Sequence, residues 1–407
     1  MNGLPVQAWL NTLLVLLQEG QLALLRLWHA LGLTGDAHGQ PAWPWARRIA
    51  GETLLIDLGL ARHLAWSIGA VVVALVFLAI AIAWRRRRGV LLAIAGLSLV
   101  LAPWPSPSLL FSAAAPTSFH ASPTGFSVDA IARGAKVYAQ HCASCHGEDG
   151  RGEGPLAASL HRWPPTLVSP LLARRADGEL FWHVVDGMRN ARGEVTMPAF
   201  GHALNDADTW AVLDYMKALA AGSGVVANGS WPIALRLPDT PLRCGDDLSP
   251  RSLAQWAVGQ RVRVVAFDGD LRSLPMLDPR FQTLLLTRDG TLPAGVPRFR
   301  ANCVAASADA WEVFARIAGV PADGLGGMEL LADRDGWLRA RGAPGVKGWS
   351  DADMVCRSGP SAEAPRGAPG GDGLTTLVLR MDDEPVRFVK GGFVHSLGSR
   401  LRGNDGG

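Results

Sequence analysis

The residues of this sequence whose types and spacing predict chemistry most clearly are Cys142, Cys145 and His146, in the run Cys-Ala-Ser-Cys-His. This C-x-x-C-H spacing is that of c-type heme attachment. Two thiols three residues apart on one helical turn reach the two vinyl groups of one porphyrin edge, and the adjacent histidine projects beneath the iron. A zinc site would need a second C-x-x-C, which the sequence lacks, and a redox dithiol would not need the histidine. The motif therefore predicts one covalent heme c.

A six-coordinate heme iron needs a second axial ligand, and Met197 is the preferred candidate. It lies in the loop Val-Thr-Met-Pro-Ala-Phe, well downstream of His146. Met188 is the alternative thioether, and His161 or His183 would give bis-histidine ligation with a lower reduction potential. The full set of candidates in this region is Met188, Met197, Met216, His161, His183 and His202.

The segment Arg-Trp-Pro-Pro-Thr-Leu at residues 162–167 resembles the proximal loop of such proteins, in which a proline carbonyl accepts the N–H of the ligating imidazole. Pro165 is the better candidate for that carbonyl, which would fix the ring of His146 from the second coordination shell. The alternative is a simple turn.

Two helices are predicted to position the motif. Residues 128–140 place Ile131, Ala135 and Tyr138 on one face, with Gly134 beside them for a close helix crossing. Residues 205–220 form the second helix, which begins at an Asn-Asp cap. This arrangement resembles class I cytochrome c, in which the first and last helices cross and the porphyrin lies between the intervening loops. An all-α cytochrome c domain is thus expected over residues 128–221.

The N-terminal region, residues 1–112, is predicted to be membrane-embedded. Residues 64–84 carry no charge and would span about 31 Å as a helix, which matches the hydrocarbon core of a bilayer. The run Arg85–Arg88 follows and predicts a cytoplasmic end. Residues 90–111 are predicted as a second span, and the amphipathic residues 4–33 are favoured as a third. Residues 113–127 then read as a linker that permits reorientation.

Residues 231–357 have the pattern of a small α/β domain. Residues 261–267 and 281–287 are strand-like, residues 307–318 are helical, and residues 328–340 form a hairpin about an Asp-Arg-Asp-Gly turn. This order resembles the thioredoxin fold without its C-x-x-C.

Three further cysteines, Cys244, Cys303 and Cys356, predict one structural disulfide and one spare thiol, with the pairing left open. Residues 358–407 are expected to be a flexible tail. The overall fold class is therefore mixed: transmembrane helices, an all-α cytochrome c domain and a thioredoxin-like domain.

Composition limits the class of protein. The 407 residues are 48% hydrophobic and 18% charged, which excludes a wholly disordered chain. The formal net charge of +3 is too small to indicate nucleic-acid binding.

Residues 116–222 also resemble the cytochrome c module fused to copper resistance D type membrane proteins. The shared stretches are Cys-Ala-Ser-Cys-His-Gly-Glu-Asp-Gly, Asp-Gly-Glu-Leu-Phe-Trp and Met-Pro-Ala-Phe-Gly. The resemblance implies a periplasmic carrier tethered to a membrane unit that is associated with copper handling. This sequence departs from the family in having only two or three predicted spans.

The function that these patterns favour is single-electron transfer by a monoheme cytochrome on the bacterial inner membrane, with its heme and C-terminal domains in the periplasm. Its partners would be redox proteins of the periplasm or membrane. Two alternatives belong to other classes: a heme peroxidase with a labile distal ligand, and a copper- or thiol-binding module served by the heme.

Overall fold

The structure, a computed structural model, describes residues 6–50, 58–104, 106, 111–170, 172, 175–244, 247–271, 274–296, 301–343, 348–356 and 372–386. These residues form two compact units, one of residues 6–121 with 175–179 and one of residues 122–172 with 180–386. Each unit is described by itself.

The first unit consists mainly of apolar helices. Helix α2 holds a stretch, Arg62–Ala83, of mean hydropathy 2.6, and within the described residues it alone is long and apolar enough to cross a membrane. Its elements are α1 Val6–Ala30, β1 Asp36–Ala37, β2 Gln40–Pro41, β3 Arg47–Ile49, α2 Leu58–Ala83, a 3-10 turn Arg85–Arg87, α3 Arg88–Leu101 and β4 Phe111–Ala113. Strand β1 pairs with β2, and β3 with β4, both antiparallel.

Within the second predicted span, residues 90–111, helix α3 ends at Leu101 and residues 102–104 are not helical, while residues 105 and 107–110 lie outside the described residues. Pro103 has no N–H to continue the helix, and it disfavours helical geometry at the residue before it. The 14 residues of α3 rise about 21 Å, which is less than the roughly 30 Å of a hydrocarbon core. Helix α1 covers most of residues 4–33, and its crossing of a membrane stays a prediction.

The predicted linker, residues 113–127, is not free in its first part. Phe119 is buried and its ring lies 4.5 Å from that of Trp43. The Thr117 hydroxyl donates to the carbonyl of Gly178 over 2.6 Å. Small residues and prolines suggested a spacer, but one aromatic ring with a tryptophan to pack on is enough to anchor the segment in the first unit.

The second unit combines helices with a sheet. Its helices are α4 Val128–His141, α5 Ala143–His146, α6 Asp177–Asp186 (whose first turn belongs to the first unit), α7 Asp206–Asn228, α8 Leu253–Trp256, α9 Asp309–Ala318 and α10 Gly373–Asp383. Its strands are β5 Met188–Arg189, β6 Val195–Met197, β7 Pro241–Cys244, β8 Asp247–Ser252, β9 Val262–Ala266, β10 Gln282–Leu286, β11 Cys303–Ala305, β12 Glu329–Ala332 and β13 Leu338–Gly342.

Seven strands form one sheet in the order β13-β12-β9-β10-β11-β7-β8. Strands β9, β10 and β11 are parallel, while β12 pairs antiparallel with β9, β13 with β12, and β7 with β11. The predicted strands at 261–267 and 281–287, the helix at 307–318 and the hairpin at 328–340 are confirmed as β9, β10, α9 and β12–β13.

The segments predicted as separate domains, residues 128–221 and 231–357, share one hydrophobic core. Helix α7 continues to Asn228 and packs against α9. A Cβ on Gly222 would lie 1.9 Å from the carbonyl oxygen of Arg316, so the two helices touch through a glycine. The Trp231 indole then donates to the carbonyl of Ile317 over 3.0 Å.

Cys244 and Cys303 form a disulfide across the neighbouring strands β7 and β11, and Cys356 is a buried free thiol. This confirms the prediction of one disulfide and one spare thiol, and it selects the pair.

The predicted tail, residues 358–407, contains helix α10, so the expectation of flexibility is wrong for residues 373–383. Leu377 and Met381, four residues apart, are buried in a cluster with Leu331 of the sheet. Asp372 caps the helix by accepting from the N–H of Thr375 over 2.8 Å. Residues 358–371 and 387–407 of the predicted tail lie outside the described residues.

Candidate functional site

The C-x-x-C-H segment directly follows helix α4, which is fixed at both ends. Ser127 caps its start by accepting from the N–H of Ala130, and the N–H of Cys142 donates to the carbonyl of Tyr138 at its end. Its apolar face, including Ile131 and Tyr138, is buried. The predicted close crossing at Gly134 is confirmed in the geometry: a Cβ there would lie 2.0 Å from the carbonyl oxygen of Ala211 in α7.

The motif itself is one helical turn, α5. The N–H of Cys145 donates to the carbonyl of Cys142 over 3.1 Å, and the N–H of His146 to the same oxygen over 2.9 Å. Cys142 and Cys145 are half-buried free thiols. Burial, with a smaller effect of the Cys145 charge, raises the pKa of the Cys142 thiol to about 11. The turn therefore presents both thiols and the histidine from a span of five residues.

The loop after the motif wraps back on this turn through its glycines. The N–H of Gly152 donates to the carbonyl of His146 over 2.8 Å, and that of Gly154 to the carbonyl of Cys145 over 3.1 Å. A Cβ on Gly154 would lie 2.4 Å from the carbonyl oxygen of Ser144. Only glycine permits this approach, which explains why the loop is glycine-rich.

The His146 imidazole directly follows the two thiols in the chain and has one buried ring nitrogen. Its Nδ1 is buried and has no hydrogen-bond partner of ordinary geometry among the described residues. Burial lowers its pKa, while the carbonyl of Pro165 acts in the opposite direction. A neutral imidazole is the form that binds iron, and the role of the Pro165 carbonyl stays a prediction.

Met188 and Met197, the two thioether candidates, lie opposite each other in the hairpin of β5 and β6. Met197 is half-buried and packs against the core, whereas Met188 is 38% exposed. The hairpin tip is closed by Asn190, whose side-chain carbonyl accepts from the N–H groups of Arg192 and Glu194. The structure therefore brings both methionines to one place, and burial favours Met197.

The remaining candidates are placed differently. Met216 lies on α7 and packs against the core as a structural residue. His161 and His202 are exposed, and His183 lies on α6.

Tyr138 has a role at this site that its place on an apolar helix face did not suggest. Its hydroxyl donates to the carbonyl of Gly147 over 2.8 Å, so it holds the backbone directly after His146. Its ring lies 5.2 Å from that of Tyr215. These are the two tyrosines of the whole chain, and their rarity was the signal in the sequence that could have indicated the role.

A comparison with known families supports this geometry. Residues 129–216 match the family described as cytochrome c oxidase, cbb3-type, subunit III. Residues 129–216 form a cytochrome c domain. The match covers about a fifth of the chain and reaches from α4 to α7. The chain as a whole has no match among curated proteins.

The cytochrome c domain implies covalently bound heme c, and the residues present fit that group. Two free thiols are spaced for the vinyl groups, and a half-buried imidazole with a buried Nδ1 follows them directly in the chain. Heme would supply a one-electron ferric–ferrous couple. The surrounding chain would hold the ring, exclude water and set the polarity around it. The cytochrome c domain is a heme-binding electron carrier that exchanges electrons with redox partner proteins.

Proposed function

We propose that this chain is a membrane-anchored monoheme cytochrome that carries single electrons on the periplasmic face of the bacterial inner membrane. The observation that carries the proposal is the α5 turn, which presents two free thiols and one half-buried histidine within the domain that matches a cytochrome family. The sequence contains one C-x-x-C-H, which supports a single heme.

The ligand assignment is His146 and Met197 on the iron, with Cys142 and Cys145 as thioether attachments. The carbonyl of Pro165 would accept the imidazole N–H once the ring is ligated, because it is the backbone group that already acts on that ring. Burial of Met197 against the core supports it over Met188. A thioether opposite histidine raises the reduction potential relative to two histidines.

Outer-sphere transfer is the mechanism that such a ligand set supports. With His146 and Met197 both holding the iron, no position on it would remain for a substrate. The protein's tasks are then to keep the two ligands at fixed distance and to keep water away. The hydrogen bonds of Tyr138, Gly152 and Gly154 to the motif backbone serve this rigidity.

The membrane anchor is supported by helix α2. Its apolar stretch Arg62–Ala83 is 22 residues long, and only 17% of the apolar window is buried inside the structure. The four arginines 85–88 follow it directly and favour a cytoplasmic end, so the proposal requires the chain to cross back through α3 and the residues after Leu101, since α3 alone is too short to span. A link to copper handling rests on the resemblance of residues 116–222 to the copper resistance D modules.

The sheet part of the second unit is proposed to be a thioredoxin-like module without thiol chemistry. The order β13-β12-β9-β10, with β9 and β10 parallel and the other two pairings antiparallel, supports this fold. Its disulfide joins two strands rather than the ends of a C-x-x-C loop. Docking of a redox partner is the role that remains for it.

Replacement of Met197 by alanine should leave the heme covalently attached but abolish the sulfur-to-iron charge-transfer band. The potential should fall by on the order of 0.1 V, a small part of the about 0.8 V over which axial ligands shift heme potentials. Visible spectroscopy and redox titration measure both effects. Met188→Ala is the matched control and should change neither. Loss of the band in Met188→Ala alone would exchange the two assignments.

A carrier should bind carbon monoxide or cyanide only slowly, because both axial positions are occupied, yet it should exchange electrons rapidly with ferricyanide. Stopped-flow mixing with each reagent separates the two behaviours. Met197→Ala serves as the positive control, since it opens one position to carbon monoxide. Fast ligand binding by the unaltered protein would favour the peroxidase alternative.

The proposed membrane topology can be tested by fusing the chain to a reporter enzyme that is active only outside the cytoplasm. Fused to the C terminus of the full chain, it should be active, and fused directly after Arg88 it should be inactive. The reverse pattern would place the heme in the cytoplasm and contradict the proposal.

Removal of the disulfide by Cys303→Ser should lower the free energy of unfolding by about 2–4 kcal/mol, the usual contribution of such a bond, and should leave electron exchange with ferricyanide unchanged. Denaturant titration followed by circular dichroism gives the first quantity. Cys356→Ala tests the buried free thiol in the same way. If either variant folded normally but no longer exchanged electrons, the sheet would have a redox role.

A further inference from the structure

The sheet of the second unit has a cavity at the end where strands β9 and β10 begin. Its volume is about 370 Å³, and its lining residues are Gly259, Gln260, Arg261, Pro279, Arg280 and Arg334. Three of the six carry a guanidinium group, and none carries a carboxylate or an aromatic ring. The lining is therefore rich in guanidinium groups, two of which pair with carboxylates that do not line the cavity, and it offers nothing for a nucleobase to stack on.

Arg261 is the most informative of these side chains. It is 5% exposed, and one of its terminal nitrogens pairs with Asp382. Its Nε–H is buried and has no partner among the described residues. A buried guanidinium N–H without an acceptor is unusual in a folded protein, and it leaves this cavity-lining arginine incompletely paired within the described residues.

Arg280 is held in place before any ligand arrives. Its Nε and one terminal nitrogen bind the carboxylate of Asp278 at 2.9 and 2.6 Å, and the other donates to Thr375 over 2.8 Å. Asp372 lies 3.8 Å from Arg280 as well, and Asp278, Asp372 and Asp382 do not line the cavity, so they fix the arginines without closing the site. The planar, always charged guanidinium of Arg280 is thus held in a fixed orientation.

Arg334 completes the set from the β12–β13 turn. It is exposed, and its side chain makes no hydrogen bond or ion pair within the part of the chain that the structure describes. It is the one cavity arginine whose charge is not already matched by a carboxylate there. An exposed arginine at the rim of a cationic cavity is suited to close over an incoming anion.

We infer that this cavity binds a small polyanion with two oxyanion groups, such as a diphosphate or a short dicarboxylate. Arginine recognises both kinds of group through paired N–H donors. The volume would hold about twelve waters at roughly 30 Å³ each, so a single phosphate would leave it mostly empty. The inference concerns the sheet and is independent of the heme.

Calorimetric titration of the full-length, heme-loaded protein with inorganic pyrophosphate, and separately with malonate, tests the site. Saturable one-to-one binding of either anion is expected. Arg334→Gln should weaken it about tenfold, the effect of losing one charge-assisted hydrogen bond. Arg192→Gln, an equal charge change at the exposed tip of the β5–β6 hairpin, should leave the affinity unchanged.

A second variant, Arg280→Lys, removes the planar donor while it keeps the charge, and it should also weaken binding. Circular dichroism of each variant verifies the fold. Absence of binding by both anions, or equal losses in Arg334→Gln and Arg192→Gln, would overturn the inference. The visible spectrum and electron exchange of Arg334→Gln should match the unaltered protein, so failure here is distinct from failure of the proposed function.

Discussion

The close crossing of helices α4 and α7 is the contact on which the second unit depends. Gly134 lets the α4 backbone approach so near that a Cβ would lie 2.0 Å from the carbonyl oxygen of Ala211. Any larger side chain would push the helices apart, because packed interiors have little room to adjust. Since α4 ends at the heme-binding turn, that displacement would move Cys142 and His146 directly.

Helix α7 transmits this contact into the sheet. Its first half packs on α4, and its second half approaches α9 through Gly222. Helix α7 thus makes two close contacts through glycines, one with α4 before the heme-binding turn and one with α9 in the part of the unit that contains the sheet. The heme domain and the sheet share a core for this reason, and a mechanical change in either would be felt by the other.

Structural features that depend on a few neighbouring residues were predicted well from the sequence. The C-x-x-C-H turn, the α4 periodicity and the Asp-Arg-Asp-Gly hairpin each depend on a few neighbouring residues, so their patterns are visible in the chain. Contacts between distant residues were not predictable in this way. No pattern in the residues around Phe119 predicted its packing on Trp43. The glycine- and proline-rich stretch before Asp372 led to the prediction of a flexible tail, although α10 has an apolar face.

At the site, too, features set by neighbouring residues were predictable and contacts between distant residues were not. Three attachment residues follow from spacing alone, whereas the opposition of Met188 and Met197 depends on a two-stranded pairing too short to carry a strand pattern. The hydroxyl of Tyr138 was likewise hidden, because a helical stripe reports which face is buried and not which polar atom on that face finds a partner.

The five cysteines set a requirement on how the protein matures. Cys244 and Cys303 are joined, while Cys142 and Cys145 must stay reduced until the porphyrin arrives, because an oxidised pair cannot form thioethers. The disulfide between Cys244 and Cys303 must therefore form on the same polypeptide on which Cys142 and Cys145 stay reduced. Cys244 and Cys303 become neighbours only when β7 meets β11, whereas Cys142 and Cys145 are adjacent from the moment of synthesis. The order of events therefore matters. A reductant must keep Cys142 and Cys145 reduced until the heme is attached, whereas Cys244 and Cys303 can be oxidised without such protection.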